Sequence, residues 1–129
     1  MKANELQVGD YIRIKPSLLP ISISAVHQRK IGYHAHPNKL EWVRQGLLEP
    51  IPLTEELLAK NFEKNGDEGY QLDNTWRIWQ NPNFGYIAAT LTIDDYGGGS
   101  YEPCVPIRYL HELQQFLRLL KVQKNIVLY

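Results

Sequence analysis

Three histidines in the N-terminal half of the chain have a spacing that could bind a divalent metal ion. His34 and His36 are two residues apart, so a strand would direct both imidazoles to one face, and His27 could lie across a hairpin from them. Neither Cys nor Asp stands nearby with ligand spacing, and the nearest acid, Glu41, lies beyond Pro37. We therefore favour solvent-facing histidines, and we expect no bound metal and no cofactor.

A second possible chemistry is a nucleophile with its base, formed by Cys104 and His111. Such a pair also needs a third group that orients the base and a site that stabilises an oxyanion, and the sequence shows neither. It favours a buried thiol on an edge strand instead. The carboxylates of Glu55, Glu56 and Glu63 are predicted to be helix-surface charges without a partner for acid/base work. The sequence therefore predicts a protein that is not an enzyme.

The run Gly97-Gly98-Gly99-Ser100 could bring bare backbone amides close to a phosphate group. A specific phosphate loop continues with Lys-Ser/Thr and begins a helix, and this run does neither. Asp94 and Asp95 would also repel phosphate, and together with Glu102 they lack the spacing of a known calcium loop. We favour a flexible hairpin loop.

Aromatic residues near the predicted turn at 81–83 are the candidate binding residues. Three rings and one guanidinium belong to this set: Trp79, Phe84, Tyr86 and Arg77. If Ile78 faces the same core as Ile87 and Leu91, the three rings lie near the opposite face of the sheet. Either a second layer covers them, or they form an exposed patch that suits a protein partner, a sugar or an unstacked base.

The charge of the chain is unevenly distributed, although the formal net charge is zero. Residues 1–46 hold seven Lys and Arg against three acids, a net charge of +4, and the remainder holds seven against eleven, a net charge of −4. The two halves could simply neutralise each other, or the basic half could attract an anionic partner. For nucleic acid, four residues would contact phosphates: Arg13, Lys15, Arg29 and Lys30.

The composition is that of an ordinary globular protein, with 43% hydrophobic and 22% charged residues. A length of 129 residues fits one domain or two small, closely packed lobes. No apolar run approaches the roughly 20 residues of a membrane-spanning helix, and the start of the chain lacks the apolar segment of a secretory signal. With its single cysteine, the protein is expected to be cytoplasmic and to make no membrane contact.

The elements that must position these residues change in type at about residue 52. Before it, Tyr11 to Lys15 alternates apolar and charged residues after a Gly9-Asp10 turn, as a half-buried strand does. Further short strand patterns follow at 21–23, 31–36, 40–43 and 47–51. So many short strands with tight links predict a small twisted meander or an SH3-like barrel.

After the joint, Thr54 can cap a short helix over about 55–60, whose first turn carries two glutamates. Strand patterns at 76–79 and 85–94 lead to a proline-interrupted edge strand at 101–107. From Tyr109 to Leu120 the apolar residues have helical spacing. This stripe is predicted to pack on the sheet that contains residues 87–93.

The joint PIPLTEELLAKNFEKN and the later helix RYLHELQQF resemble a group of short uncharacterised proteins from Bacteroides-type genomes and their mobile elements. Members typically begin with a Leu-x-x-Gly-Asp/Asn-Tyr-Val strand, which the run LQVGDYI from Leu6 to Ile12 matches. These motifs are structural joints. The resemblance therefore implies an architecture and a bacterial cytoplasmic setting, and no catalytic residues.

Together these patterns predict an α+β protein. We expect an SH3-like β-lobe at 1–52, followed at 53–129 by an antiparallel sheet packed with one or two helices. The leading hypothesis is a non-enzymatic binding or adaptor module of a bacterial mobile or phage-like element, acting through a protein partner or as a homo-oligomer. The alternative is a nucleic-acid-binding accessory protein that uses the basic first lobe.

Overall fold

The computed structural model describes residues 1–17, 19–64, 69–93 and 96–128, and the side chains of 91–93 and 100–104 lie outside that description. In the described residues it contains three antiparallel sheets and two α-helices, so the predicted α+β class is confirmed. The chain divides into two compact units. The first comprises Met1–Pro52 with Tyr109–Phe116, and the second comprises Leu53–Arg108 with Leu117–Tyr129.

Six strands build the first unit: β1 (Tyr11–Ile14), β2 (Pro20–Ser22), β3 (Ala25–His27), β4 (Lys30–His36), β5 (Lys39–Arg44) and β6 (Leu48–Glu49). They form one sheet in the order β2-β1-β6 and another in the order β3-β4-β5. In β1, Ile12 is fully buried, Arg13 and Ile14 are both half-buried, and Lys15, just beyond the strand, is exposed, so burial follows the predicted alternation only in part. The described strands do not close into a barrel, which leaves the SH3-like detail of the prediction without confirmation.

The core of the first unit collects apolar side chains from most of these elements. Its buried members are Ala3, Leu6, Ile12, Ile23, Ile31 and Leu48. Half-buried residues pack around them, among them Val26 of β3 and Val43 of β5. One face of the β3-β4-β5 sheet therefore packs on the core, and the side chains of the other face point away from it.

Helix α2 (Leu110–Leu119) begins in the first unit. Glu112 accepts a hydrogen bond from the backbone N–H of Tyr109 at 3.0 Å, which is one half of a capping box. Gln114 accepts from the backbone N–H of Tyr11 at 2.8 Å and donates to the carbonyl of Gly9 at 3.1 Å. The predicted apolar stripe is buried: Leu110, Leu113, Phe116 and Leu117. Its packing on residues 87–93 stays a prediction.

The second unit contains α1 (Glu55–Asn61), β7 (Tyr70–Gln71), β8 (Trp76–Asn81), β9 (Gly85–Ile93) and β10 (Gly99–Ile107). The strands form one antiparallel sheet in the order β10-β9-β8-β7. The hydroxyl of Thr54 accepts from the backbone N–H of Leu57 at 3.2 Å, so the predicted helix cap is confirmed. The strand β10 lies at the edge of the sheet, as its prolines predict.

Residues 122–128 contain no strand. Instead, the side chain of Asn61 accepts from the backbone N–H of Val127 at 2.6 Å and donates to its carbonyl at 2.9 Å. One amide side chain thus replaces a neighbouring strand for this residue. Within the described residues, no helix is both long and apolar enough to cross a membrane.

Candidate functional site

The outward face of the β3-β4-β5 sheet gathers basic, aromatic and apolar side chains. In the pairing register, Lys30 lies opposite both His27 and Arg44, Gly32 opposite Trp42, and His34 opposite Leu40. Directly opposed residues of an antiparallel pair project to the same side of the sheet. We call the resulting exposed set the basic face: His27, Lys30, His34, Leu40, Trp42 and Arg44.

The inner face of this sheet carries its only carboxylate. Ile31 and Val43 are paired there, and Tyr33 lies opposite Glu41. The phenol of Tyr33 donates to Glu41 at 3.3 Å. Burial, and then the negative charge of Glu41, raise the pKa of Tyr33. Because the alternation of β5 turns Glu41 inward, the basic face carries no acidic side chain among its members.

Trp42 lies in the middle of the basic face and remains 45% exposed. The ammonium of Lys30 lies 4.8 Å from the centroid of its ring. His27 contacts the ring edge to face, with centroids 6.4 Å apart and an interplanar angle of 82°. Opposite Trp42, Gly32 has no side chain, and a Cβ there would lie 3.2 Å from three carbon atoms of Leu40. Glycine at this position therefore lets Leu40 lie close to the sheet.

The turn between β3 and β4 adds a third permanent positive charge, Arg29. Its carbonyl accepts from the backbone N–H of Gln45 at 2.8 Å, which ties this turn to the chain that leaves β5. The side chain of Gln45 in turn accepts from the N–H of Ala3 at 3.1 Å. Arg29 and Arg44 line an open groove of about 440 Å³ together with residues 45–47.

The structure separates the four residues predicted to contact phosphates. Arg13 is half-buried in the other sheet, lies 3.5 Å from the carboxylate of Glu49 and donates to the carbonyl of Pro50 at 3.4 Å. Its charge is therefore neutralised within the fold. Lys15 follows the same strand and is exposed, whereas Arg29 and Lys30 lie at the basic face.

Trp42 and Arg44 were missed as binding residues. The apolar pattern at 40–43 predicted a short strand, and its continuation to Arg44 would have aligned Leu40, Trp42 and Arg44 by their spacing of two. The position of Lys30 opposite Arg44 depends on pairing between strands, which the sequence of either strand does not give.

The predicted aromatic patch of the second unit is divided by the strand register. Trp79 is opposite Ile87, and Gln80 is opposite Tyr86, so the rings of Trp79 and Tyr86 project to opposite faces. Ile78 is opposite Ala88, which places it on a different face from Ile87, so the condition stated for a shared face of the three rings is not met. The turn explains this difference: Asn81 is paired with Gly85, and one step of register exchanges the faces.

Burial distinguishes the members of this set further. Phe84 is 43% exposed, Trp79 and Arg77 are half-buried, and Tyr86 is buried. Burial, and then the charge and hydrogen bond of Glu55, raise the pKa of Tyr86. The exposed aromatic surface at this turn is thus carried mainly by Phe84, and a three-ring patch is not formed.

The remaining candidates do not assemble a reaction centre in the part of the chain that the structure describes. His34 and His36 are separated by a register shift at Ala35, and no group of three or more metal-ligating side chains occurs among the described residues. Asp94 and Asp95 lie outside the described residues, as do the side chains of Ser100, Glu102 and Cys104.

His111, considered above as a possible base, is buried and stacks on Tyr109 with centroids 5.8 Å apart. Its Nδ1 has no hydrogen-bond partner. Burial lowers the pKa of His111, and the carboxylates of Asp10, Glu112 and Glu5 act in the opposite direction. A neutral imidazole packed in this way is typical of a core residue.

Comparison of the chain with protein-family models, with curated proteins and with solved structures gave no match in any of the three.

Proposed function

We propose that this chain is a non-enzymatic binding module that binds nucleic acid through its basic face and the adjoining Arg29. The observation that carries the proposal is the separation of charge across one sheet. Lys30 and Arg44 project from one face, whereas Glu41 lies on the opposite face, where it accepts from Tyr33 and is ion-paired with Lys39 at 3.9 Å. Such a face attracts phosphate groups and has no carboxylate of its own to repel them.

Three side chains set the expected strength of binding: Arg29, Lys30 and Arg44. The logarithm of affinity falls against the logarithm of salt concentration by about 0.9 for each duplex phosphate neutralised, and by about 0.7 for a single strand. Three contacts therefore predict slopes of about −2.7 and −2.1. We do not count Arg13, because Glu49 already neutralises it. Binding is expected in the weak range of roughly 10⁻⁴ to 10⁻⁶ M at physiological salt.

The test is a salt titration of binding, measured by fluorescence anisotropy with labelled oligonucleotides. The face variant replaces Arg29, Lys30 and Arg44 with Gln. The matched control replaces three exposed lysines elsewhere with Gln and removes the same charge: Lys2, Lys60 and Lys64. We expect the face variant to lose both the affinity and the salt slope, and the control to keep most of each. No complex at low salt, or an equal loss in the control, would refute the proposal.

A protein-binding adaptor is the second candidate, and the exposed apolar side chains of Leu40, Trp42 and Leu47 favour it. Tryptophan is enriched at the centres of protein interfaces, and truncation of such anchors weakens binding most. If these side chains hold a second copy of the chain, Leu40→Ser with Leu47→Ser should abolish a dimer in sedimentation velocity. A wild type that sediments as a monomer at all concentrations would exclude the homo-oligomer. The SH3-like path of the first unit, the cytoplasmic location and the link to mobile elements stay predictions.

A further inference from the structure

We infer that the ligand of the basic face is single-stranded nucleic acid, and that one unpaired base stacks on the ring of Trp42. The inference rests on the proposed function, because it adds a base contact to the phosphate contacts argued above. The chemistry that would be recognised is a planar, unpaired base on a sugar–phosphate backbone, in DNA or RNA.

The position of Trp42 argues for a strand with accessible bases. The ring lies between Arg44 and Leu40 on the same strand, with successive same-face positions about 7 Å apart. A duplex would present its phosphates to Arg44 and Lys30, and its stacked bases would offer no free face to an indole between them. A single strand can turn one base onto the ring while its phosphates reach the neighbouring cations.

Lys30 does not block this contact, although its ammonium lies 4.8 Å from the ring centroid. A cation–π contact at an exposed site contributes roughly 2- to 5-fold to an equilibrium constant, whereas a stacked base contributes roughly 5- to 150-fold. The base is therefore expected to displace the ammonium. The lysine side chain has flexible carbon–carbon bonds and can then reach the phosphate beside the stacked base.

The Trp42 ring is carried by a paired strand and is contacted by one neighbouring ring. His27 contacts it edge to face, with centroids 6.4 Å apart, whereas Gly32 offers no side chain opposite Trp42. The strands β3, β4 and β5 carry all of these residues, so the contact surface is built on paired strands rather than on a mobile loop. A ring fixed in this way binds a base with a smaller loss of side-chain entropy.

The experiment compares three ligands of about 12 nucleotides, a length within the range that small single-strand-binding folds cover. They are a thymidine oligonucleotide, a strand of the same length in which the bases are absent, and a duplex. Anisotropy titrations are made with the wild type, Trp42→Leu and Trp42→Phe. The matched control is Phe84→Leu, which removes an exposed aromatic ring from the second unit. Thermal melting establishes that each variant is folded. A fourth ligand, a uridine RNA strand, distinguishes RNA from DNA.

Trp42→Leu should lower the affinity for the thymidine strand by roughly 5- to 150-fold, and Trp42→Phe should retain most of it. In Trp42→Leu, the affinities for the duplex and for the base-free strand should stay within about twofold of the wild-type values. The slope of affinity against salt should stay close to that of the wild type. Phe84→Leu should bind all ligands as the wild type does. An unchanged affinity of Trp42→Leu for the thymidine strand, or an equal loss on the base-free strand and the duplex, would overturn the stacking inference alone. A wild type that binds none of the ligands at low salt would overturn the proposed function as well.

Discussion

Asn61→Ala tests how the C-terminal segment is held in the second unit. Asn61 is buried, and its side chain makes three hydrogen bonds: to the carbonyl of Leu57 at 2.8 Å and to both backbone groups of Val127. One hydrogen bond contributes about 0.5–1.5 kcal/mol net, so the loss of three would cost about 1.5–4.5 kcal/mol. Val127 is 52% exposed, and water can replace part of this loss.

Release of the segment limits the cost further. Asn61→Ala would free the residues beside Val127, including the buried Ile126. The backbone entropy that these residues regain, about 1–2 kcal/mol per residue, offsets the free energy lost when Ile126 is exposed to water. We therefore expect a destabilisation of about 2 kcal/mol, which lowers the melting temperature by about 8 °C at about 4 °C per kcal/mol for a chain of this length. The assay is thermal unfolding together with amide hydrogen exchange at Val127.

Ile126→Ala supplies the control for this reasoning. If Asn61 holds the segment in place, Asn61→Ala and Ile126→Ala both release it. The double variant should then be destabilised by less than the sum of the two single destabilisations. Strict additivity would contradict the coupling. Protection of the Val127 amide that persists in Asn61→Ala would contradict the hydrogen-bond account itself.

Two further predictions concern the pH dependence of stability. Burial lowers the pKa of His111 in the folded state against opposition from Asp10 and Glu112, so the unfolded state binds the proton more readily. The contribution of neutral His111 to the free energy of unfolding should then be fully present above the ordinary histidine pKa of about 6.5, and it should be lost as pH drops below that value. Chemical denaturation at pH 5–7 should show a smaller decrease of this free energy in His111→Gln. The hydrogen bond to Glu55, and then burial, raise the pKa of Tyr70 to about 12. Stability should therefore fall as pH rises from 10 towards 12, and Tyr70→Phe should remove that part of the fall while costing about 1.5–3 kcal/mol at neutral pH.

Local signals were sufficient to predict the two helices and the longer strands. Thr54 and the two glutamates after it define the start of α1, since a cap and a helix dipole act within one turn. Alternation and turn residues likewise predicted β1 and the long strand β9, whose hydrogen-bonded partners are supplied by other segments. The helical spacing of apolar residues predicted α2 to within one residue at each end.

The features that the sequence did not predict depend on pairing between segments that are distant along the chain. The neutralisation of Arg13 depends on Glu49, which is 36 residues away. The register of β8 on β9 places Ile78 on the same face as Tyr86, although the pattern of single strands had suggested opposite faces. The basic face likewise arises from the register of β4 on β5, which brings Lys30 opposite Arg44. The residue types of the basic face can be read from the sequence. Their position on one face follows only from the pairing of the strands.

The most direct measurement of the central claim is a map of amide chemical-shift changes in the ¹⁵N-labelled protein, titrated with a thymidine oligonucleotide at low salt. We predict that the largest changes fall on β3, β4, β5 and the turn at Arg29, together with the indole N–H of Trp42, and that they shrink as salt is added. Absence of shifts at saturating oligonucleotide, or shifts confined to the Phe84 turn, would contradict the assignment of the basic face as the nucleic-acid site.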